Sequence, residues 1–441
     1  MNEKVVLIGA GSAMFTRGLV ADTIRSGWRG ELALVDTDEA ALAVARGLAA
    51  KMLDAARSPL KLTAATDRRA VLGGATVVVC TIAVGGRRAW VRDVEIPRAY
   101  GVYQPVGDTV MPGGASRALR MIPPMIEIVS DAMDIAPDAL LFNYANPMSA
   151  VCRAVRKATN ANVIGLCHGV PEAARYLAQQ LGIAAESLSY SAAGINHLTW
   201  LTNLRIDGRD AADEVRRCAR EKLRAGSAAR GFRPEENPFT WQLVGLFGAF
   251  PAVMDRHVTE FFPHLFARRG AYFGKTLGLD AFNFDAHIRH GDEVFEEMRR
   301  EAMSERPLER RWLEGAPGEQ EQLVEIVESC RRGDGRVYSA NLANEGQIPN
   351  LPAGAVVECP AAATGGTLTA IAQPPLPAGL AVPLASRALW AETVVEAALE
   401  GSREKFVQAL LLDGAVDSAA TAQRLADDLL EAHREHLPQF R

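Results

Sequence analysis

The segment that decides the fold of this chain is KVVLIGAGSAMF, residues 4–15. Residues 5–8 are apolar and predict a buried strand, the glycines at 9 and 11 predict a tight turn, and a helical pattern follows. A second apolar segment, residues 32–35, ends on Asp36. This order of strand, glycine turn, helix and acidic strand end suits a dinucleotide, because the glycines let the backbone approach the pyrophosphate and the helix N-terminus faces its charge.

The dinucleotide motif is incomplete at its third position. In G-x-G-x-x-G the third glycine would fall at Met14, so only Gly9 and Gly11 are present. A Gly-x-Gly pair also occurs in ordinary tight turns, and the prediction therefore depends on the surrounding strand, helix and Asp36. A carboxylate at position 36 binds an unmodified ribose better than a phosphorylated one, which favours NAD over NADP.

Composition narrows the class of protein. The 441 residues are 48% hydrophobic and 23% charged, with a net charge of −5, which fits a soluble globular protein of two domains. No basic block with interleaved aromatics predicts a nucleic-acid partner, no secretory signal follows Met1, and no apolar run approaches the roughly 20 residues of a membrane span. The six cysteines form no C-x-x-C pair and are expected to be reduced in a cytoplasmic protein.

The order of strand and helix patterns predicts the fold class. Apolar strands at 76–82, 140–144 and 163–166 alternate with helical patterns, which indicates an α/β fold with a Rossmann-type, doubly wound parallel sheet. From about residue 188 the strand patterns favour a different, antiparallel sheet. We therefore expect an NAD-binding Rossmann domain over 1–190 and an α+β catalytic and oligomerisation domain over 191–441.

Polar residues follow several predicted strands, where open α/β sheets bind their ligands. Asn146 follows the strand at 140–144, Cys167 and His168 follow the next strand, and His197 comes about thirty residues later. A cysteine and a histidine on separate elements, with carboxamides nearby, could hold one divalent metal, although the spacing is not that of a structural zinc site. Cys167 could equally be a buried thiol and His197 a hydrogen-bonded core histidine.

Two further segments have both a functional and a structural interpretation. Residues 107–114 form a glycine-rich loop before a helix that contains Arg117 and Arg120, and this loop is either a mobile substrate loop or an ordinary turn. Residues 255–257 place an acid, a base and an imidazole in one run, which suits a site or a salt-bridged helix start on the surface.

Taken together, the motifs resemble those of glycoside hydrolase family 4, the NAD- and manganese-dependent glycosidases. The resemblance covers nearly the whole chain, and the Cys-His pair is similar to the branch that acts on unphosphorylated α-glycosides. The segments at 102–109 and 255–261 resemble the α-galacturonidase members most closely. Six segments occur in the family's order: Gly9-x-Gly11-Ser12-x-x-Phe15, Gly107-Asp108-Thr109-x-x-Pro112-Gly113-Gly114, Asn143-Tyr144-x-Asn146-Pro147-Met148, Cys167-His168-Gly169-Val170, Gly194-Ile195-Asn196-His197 and Asn350-Leu351-Pro352.

The resemblance implies roles for individual residues. Cys167 and His197 would bind the metal, a Mn²⁺ or another divalent ion. His168 would stand at the position of the catalytic acid, Asp255 near that of the base, and Asp108 would face the metal or the substrate. The tyrosine base of the phospho-glycosidase branch has no secure counterpart here.

The resemblance also implies substrate and cofactor contacts. Asn146 would hold the sugar, with Arg256 and His257 beside it, and Met111 replaces a glycine that is usual in the family's loop. A uronate carboxylate would require an arginine. Arg256, Arg87 and Arg88 are the first candidates, and Arg117 and Arg120 are further candidates. The residues expected at NAD are Gly9, Gly11, Ser12, Met14, Phe15 and Asp36.

The activity implied by the resemblance is hydrolysis of α-linked uronides, with galacturonides as the expected substrate. NAD⁺ would oxidise carbon 3 of the sugar, the glycosidic oxygen would leave by elimination, water would add, and NADH would return its hydride. The alternatives are a neutral α-glucosidase or α-galactosidase of the same family, a 2-hydroxy-acid dehydrogenase, and a non-catalytic NAD sensor. The resemblance also implies a homo-oligomer, either a dimer or a tetramer.

Overall fold

The structure is a computed structural model, and it describes residues 1–229, 232–266, 268–314 and 322–440. The strands of these residues are β1 (Asn2–Ile8), β2 (Arg29–Val35), β3 (Leu60–Ala65), β4 (Val77–Cys80), β5 (Leu140–Asn143), β6 (Val163–Gly165), β7 (Leu188–Ile195), β8 (Leu198–Ile206), β9 (Arg209–Asp210), β10 (Phe250–Pro251), β11 (Ala271–Tyr272), β12 (Lys275–Thr276), β13 (Val337–Ala343), β14 (Val356–Thr364) and β15 (Thr367–Ala370).

The helices connect and cover these strands. They are α1 (Thr16–Arg25), α2 (Glu39–Ala55), α3 (Arg69–Leu72), α4 (Gly86–Ala99), α5 (Met111–Ile135), α6 (Met148–Thr159), α7 (Gly169–Leu181), α8 (Ala212–Ala229), α9 (Pro238–Phe247), α10 (Met254–Val258), α11 (Phe284–Ala302), α12 (Arg311–Glu314), α13 (Leu323–Arg332), α14 (Ala378–Glu400), α15 (Arg403–Leu412) and α16 (Ala419–Ala432). In the described part of the chain, no helix combines the length and the apolar character needed to cross a membrane.

The first six strands form a parallel sheet in the order β3-β2-β1-β4-β5-β6. This order is that of a dinucleotide-binding Rossmann sheet, in which the direction of winding reverses between β1 and β4. The central strands are apolar on both faces because helices cover both sides, as the buried residues of β1 and β4 show. The predicted α/β fold class is confirmed.

The sheet does not end at β6. Strand β13 pairs antiparallel with β6 and is followed by β14, β7, β8 and β10, so one continuous sheet runs through both parts of the chain. The expectation of antiparallel strands after residue 188 is correct, but the expectation of a separate sheet is wrong. The expected boundary between residues 190 and 191 falls inside β7.

The interior consists of separate apolar clusters on the two sides of the sheet. One cluster includes β1, α5, α6 and the C-terminal helices α14–α16. A second contains α1, α2 and α13, packed against the opposite side chains of β1 and β2. Because the carboxyl ends of parallel strands share one edge of a sheet, the residues after β1, β4, β5 and β6 meet at that edge.

Candidate active site

The turn after β1 requires both of its glycines. Gly9 has a φ of 93°, and a Cβ there would lie 2.7 Å from the backbone nitrogen of Ile82. The backbone N–H of Gly11 donates to Oδ2 of Asp36 at 2.7 Å, and a Cβ on Gly11 would lie 2.8 Å from the same oxygen. The carboxylate at the end of β2 therefore contacts the glycine turn directly, as a ribose-binding acid in this fold should.

The other residues expected at the cofactor surround the start of α1. The Ser12 hydroxyl accepts hydrogen bonds from the backbone N–H groups of Met14 and Phe15, both at 3.3 Å. Met14 is exposed, and the ring of Phe15 packs against Tyr144 at a centroid distance of 5.6 Å. A glycine turn with no room for a Cβ, next to a helix N-terminus, fits the pyrophosphate of a dinucleotide.

Three potential metal ligands converge from distant parts of the chain. Asp108 lies in the segment between α4 and α5, His197 in the turn between β7 and β8, and His257 in α10. One ligand atom of each lies within 4.8 Å of the other two, and the two imidazole rings are 4.2 Å apart between centroids. Two imidazoles and one carboxylate are a donor set that binds divalent transition metals and leaves coordination positions for other ligands.

The electrostatics of this group favour cation binding. Burial alone would raise the pKa of Asp108, but His197, His257 and Arg117 outweigh it and hold the pKa at about 2. Burial lowers the pKa of His197 to about 4, and burial followed by the charge of His197 lowers the pKa of His257 well below its ordinary value. At neutral pH the group therefore consists of one carboxylate and two neutral imidazoles, the protonation states that metals require.

Hydrogen bonds fix the orientation of the carboxylate. Asn146 donates through Nδ2 to Oδ2 of Asp108 at 3.0 Å, and the Thr109 hydroxyl donates to Oδ1 at 2.6 Å. Several polar atoms nearby are buried with no hydrogen-bond partner among the described residues: Oδ1 of Asn146, both amide atoms of Asn196 and Nδ1 of His257. Buried polar groups are normally satisfied, so these atoms fit a cation and a polyhydroxylated ligand in this space.

Cys167 and His168 lie in the turn between β6 and α7. The Sγ of Cys167 accepts from the backbone N–H of Gly169 at 3.4 Å, and a Cβ on Gly169 would lie 2.2 Å from Val253, the residue before α10. His168 is about half exposed and lowers the pKa of both His197 and His257. The turn thus borders the metal-ligand group, although Cys167 is not one of its three members.

Asp255 has a different environment from the one expected for a catalytic base. Its buried carboxylate accepts hydrogen bonds from the backbone N–H groups of Phe239 and Thr240, at 2.8 and 2.6 Å, and from the hydroxyl of Tyr272. Burial raises the pKa of Asp255 to about 6 against these hydrogen bonds. These contacts hold the first turn of α9, and Asp255 is not part of the group formed by its neighbour His257.

The arginines expected to bind a substrate carboxylate differ in whether they already form an ion pair. Arg120 is fully buried in an ion pair with Asp93, Arg87 pairs with Asp292, and Arg88 is exposed. Arg117 and Arg256 have no carboxylate within 4.0 Å among the described residues.

The two unpaired guanidinium groups are near the metal-ligand group. Arg117 donates through Nε to the backbone oxygen of Asn146 at 3.0 Å and lies over the ring of Trp90 at 5.6 Å. The Nε of Arg256 is buried with no hydrogen-bond partner in the described part of the chain. Burial lowers the pKa of both arginines, and Asp108 opposes the shift in both.

The sequence did not predict a role for every residue around the metal-ligand group. Thr109 and Asn196 belong to the family motifs, but nothing in their spacing indicates a contact to Asp108 or His197. Asp108 was expected among the catalytic residues, facing the metal or the substrate, and the structure makes it available as a metal ligand; His257 was expected to bind the substrate, whereas its imidazole joins the same ligand group. Asp108, His197 and His257 come together through long-range contacts, which local sequence patterns do not indicate.

A Rossmann sheet with a ligand group of this kind beside it defines an enzyme of the dinucleotide-binding α/β class. Two family models identify it further. The model of the family 4 glycosyl hydrolases matches residues 4–183, and the model of the C-terminal domain of the same family matches residues 192–416. The chain therefore belongs to glycosyl hydrolase family 4.

Individual relatives span the whole chain. An alpha-galactosidase from Bacillus subtilis is 29% identical over all of both chains, and an alpha-galacturonidase from the same organism is 30% identical over 97% of each. The crystal structure of a 6-phospho-alpha-glucosidase from gut microorganisms, in complex with NAD and Mn²⁺, matches all of both chains with a TM-score of 0.84 at 19% identity. At that identity the solved structure supports the fold.

Proposed function

We propose that this chain is an NAD- and divalent-cation-dependent exo-glycosidase that cleaves α-linked uronides, with α-galacturonides as the substrate class. The proposal rests on one observation above all: Asp108, His197 and His257 meet beside Arg117 and Arg256, two guanidinium groups that lack an ion-pair partner among the described residues. A site that offers ligands for a cation and unpaired positive charge suits a polyhydroxylated acid.

The chain supplies protein ligands for both cofactors. Asp108, His197 and His257 would hold the cation, and Cys167, at the border of this group, is a further candidate ligand. Gly9, Gly11, Ser12, Met14, Phe15 and Asp36 would line the dinucleotide. A dinucleotide held there would supply a hydride acceptor for oxidation of the sugar, and a cation held by the ligand group would supply a Lewis acid that makes the neighbouring carbon-bound proton acidic.

The side chains around the cation would orient the sugar and move protons. Oδ1 of Asn146 and the amide of Asn196 are buried without partners in the described part of the chain and are suited to sugar hydroxyls. His168, half exposed at the start of α7, would give a proton to the glycosidic oxygen as it leaves. A general base for the carbon 2 proton is not assigned, since the oxygens of Asp255 already accept hydrogen bonds from three groups.

The uronate carboxylate would bind Arg117 and Arg256. Both side chains are largely removed from water, and a buried guanidinium without a carboxylate partner is costly unless a ligand supplies the negative charge. Arg256 follows Asp255 and precedes His257, so one short helix would present both a metal ligand and an arginine that binds the substrate carboxylate.

A neutral α-galactoside is the second candidate substrate. The similarity to an alpha-galactosidase over the full length of both chains favours it. On such a substrate Arg117 and Arg256 would lack a carboxylate partner.

The test is a panel of nitrophenyl α-glycosides and α-uronides, assayed with and without NAD⁺, Mn²⁺ and a thiol reductant. We expect the highest kcat/KM on a uronide, loss of turnover when either cofactor is omitted, and no net NADH. In D₂O the product should contain deuterium at carbon 2. Net accumulation of NADH would instead indicate a dehydrogenase, and product without deuterium at carbon 2 would exclude the elimination route.

A further inference from the structure

Asp108 and Thr109 lie on a segment whose backbone is held at two points by buried carboxyl groups from other parts of the chain. On the N-terminal side, Oε1 of Glu260 accepts hydrogen bonds from the backbone N–H groups of Val106 and Gly107, both at 2.8 Å. On the C-terminal side, Oδ2 of Asp413 accepts from the backbone N–H of Met111 at 3.0 Å. Glu260 is 1% exposed and Asp413 is 4% exposed.

The backbone between these two points needs support. Met111 has a φ of 61°, a left-handed conformation that is unfavourable for a residue with a Cβ. Gly107 also has a positive φ, at 64°, and a Cβ there would lie 2.7 Å from Val94. Side chains do not fill the space on this side of the segment, since Tyr103, Met111 and Glu260 line a cavity of about 20 Å³ there.

Arg387 connects the two holding points. Its guanidinium forms an ion pair with Asp413 and also donates to the backbone oxygen of Phe261 at 3.1 Å. Phe261 is the neighbour of Glu260, and Glu260 follows His257 by one helical turn. The position of the Asp108 segment is thus tied to the element that presents His257.

We propose that Glu260 and Asp413, joined through Arg387, are positioning residues that place Asp108 for cation binding. They touch neither cation nor substrate and act only through the backbone of residues 106–111. The effect of Glu260 and Asp413 on catalysis rests on the proposed function. Their support of the backbone of residues 106–111 can be measured without any ligand.

Hydrogen exchange and Mn²⁺ binding test the role separately. In E260A we expect the amides of residues 106–110 to exchange at least tenfold faster, and the metal-free protein to bind Mn²⁺ at least tenfold more weakly by titration calorimetry. In E260Q, whose amide oxygen still accepts both hydrogen bonds, both quantities should stay within threefold of the unchanged protein. The control is L48A, a cavity in the buried face of α2, which should lower the unfolding temperature without changing either quantity.

A second pair of variants tests the strained residue. D413A should weaken Mn²⁺ binding tenfold or more, and M111G should restore it to within threefold in the double variant, because glycine adopts the left-handed backbone without support. The proposal would be overturned if the double variant bound Mn²⁺ as weakly as D413A does. It would also be overturned if E260A left amide exchange and Mn²⁺ affinity unchanged, or if L48A lost as much Mn²⁺ affinity as E260A. Absence of glycosidase turnover in the unchanged protein would refute the proposed function and leave the exchange result interpretable.

Discussion

The hydroxyl oxygen of Thr109 lies 2.7 Å from Nδ1 of His197. The same hydroxyl donates its only hydrogen to Oδ1 of Asp108 at 2.6 Å. Within this network Nδ1 of His197 must bear a hydrogen and donate it to Thr109, which leaves Nε2 with a free lone pair. Thr109 therefore selects the tautomer of His197 that can bind a metal, a role that residues behind metal ligands commonly have.

Replacement of Thr109 by valine should weaken Mn²⁺ binding by about 10- to 100-fold, because such partners of metal ligands have effects of this size. The T109V side chain keeps the shape and removes both hydrogen bonds. T109S retains the hydroxyl and should bind Mn²⁺ as the unchanged protein does. Equal affinities for T109V and T109S, measured by calorimetry, would contradict the tautomer argument.

His257 is expected to be a direct ligand of the cation. H257A should lower the affinity for Mn²⁺ by at least roughly 10-fold and should alter the electron paramagnetic resonance spectrum of the bound ion. The matched control is H290A, because His290 is exposed on α11. A spectrum and affinity that H257A leaves unchanged would restrict the site to Asp108, His197 and residues of the Cys167 turn.

In C167S, which removes the titratable thiol of the further candidate ligand, Mn²⁺ affinity should be nearly independent of pH between about 5 and 8. The pKa of Asp108 is about 2 and that of His197 about 4, and the pKa of His257 is also lowered, so protons compete with the metal only as the pH falls toward 4. Two ordinary histidines, with pKa values of about 6.5, would instead lose affinity steeply below pH 6.5. Calorimetric titrations at pH 5, 6 and 7 distinguish the two cases, and a fall of more than about tenfold from pH 7 to pH 5 would contradict the lowered values.

Arg256 should determine selectivity for an acidic sugar. R256A should raise KM for a nitrophenyl uronide by about 10- to 100-fold, the effect of losing one charge-assisted hydrogen-bonding partner, with a much smaller effect on a neutral galactoside. R88A removes an exposed arginine and serves as the control. Equal changes in KM for both substrates would show that Arg256 does not bind the carboxylate.

Asp36 should contribute to NAD affinity and to discrimination against NADP. D36A should weaken NAD⁺ binding by about tenfold or more and narrow the preference over NADP⁺, because the hydrogen bonds of the ribose hydroxyls to a carboxylate are lost. D38A is the control: Asp38 accepts from the backbone N–H groups at the start of α2, so its loss should cost about 1 kcal/mol of stability. Cofactor affinity, measured by nicotinamide fluorescence, should not change in D38A.

The dinucleotide-binding part of the fold was predictable because short, continuous sequence patterns specify it. Residues 5–8 and 32–35 form continuous apolar strands that are followed by a glycine turn and by Asp36, and the strand order follows from the class of fold. The antiparallel strands β13 and β14 were not identified. Strand β13 pairs with β6, which is distant in the chain, since the register pairs Asn341 with Gly165, and no local pattern indicates such a partner.

The composition of the ligand group was less predictable than its location. Asp255 and His257 are two positions apart, and the helical rotation between them turns one toward α9 and the other toward His197. Val253 and Met254, at the start of this element, have φ values of 65° and 46°, a backbone conformation that residues of these types rarely adopt and that the sequence does not indicate. The choice among the arginines likewise depends on ion pairs with remote residues, such as that of Arg120 with Asp93.

The position of β13 beside β6 has a consequence for synthesis of the chain on the ribosome. Gly165 and Asn341 are separated by 176 positions, so the outer edge of β6 stays without its neighbouring strand while that length of chain is translated. At rates of about 5–20 residues per second this takes roughly 10–35 s. An unpaired strand edge invites pairing with other chains, and a nascent N-terminal half therefore faces a long interval in which aggregation competes with completion of the sheet.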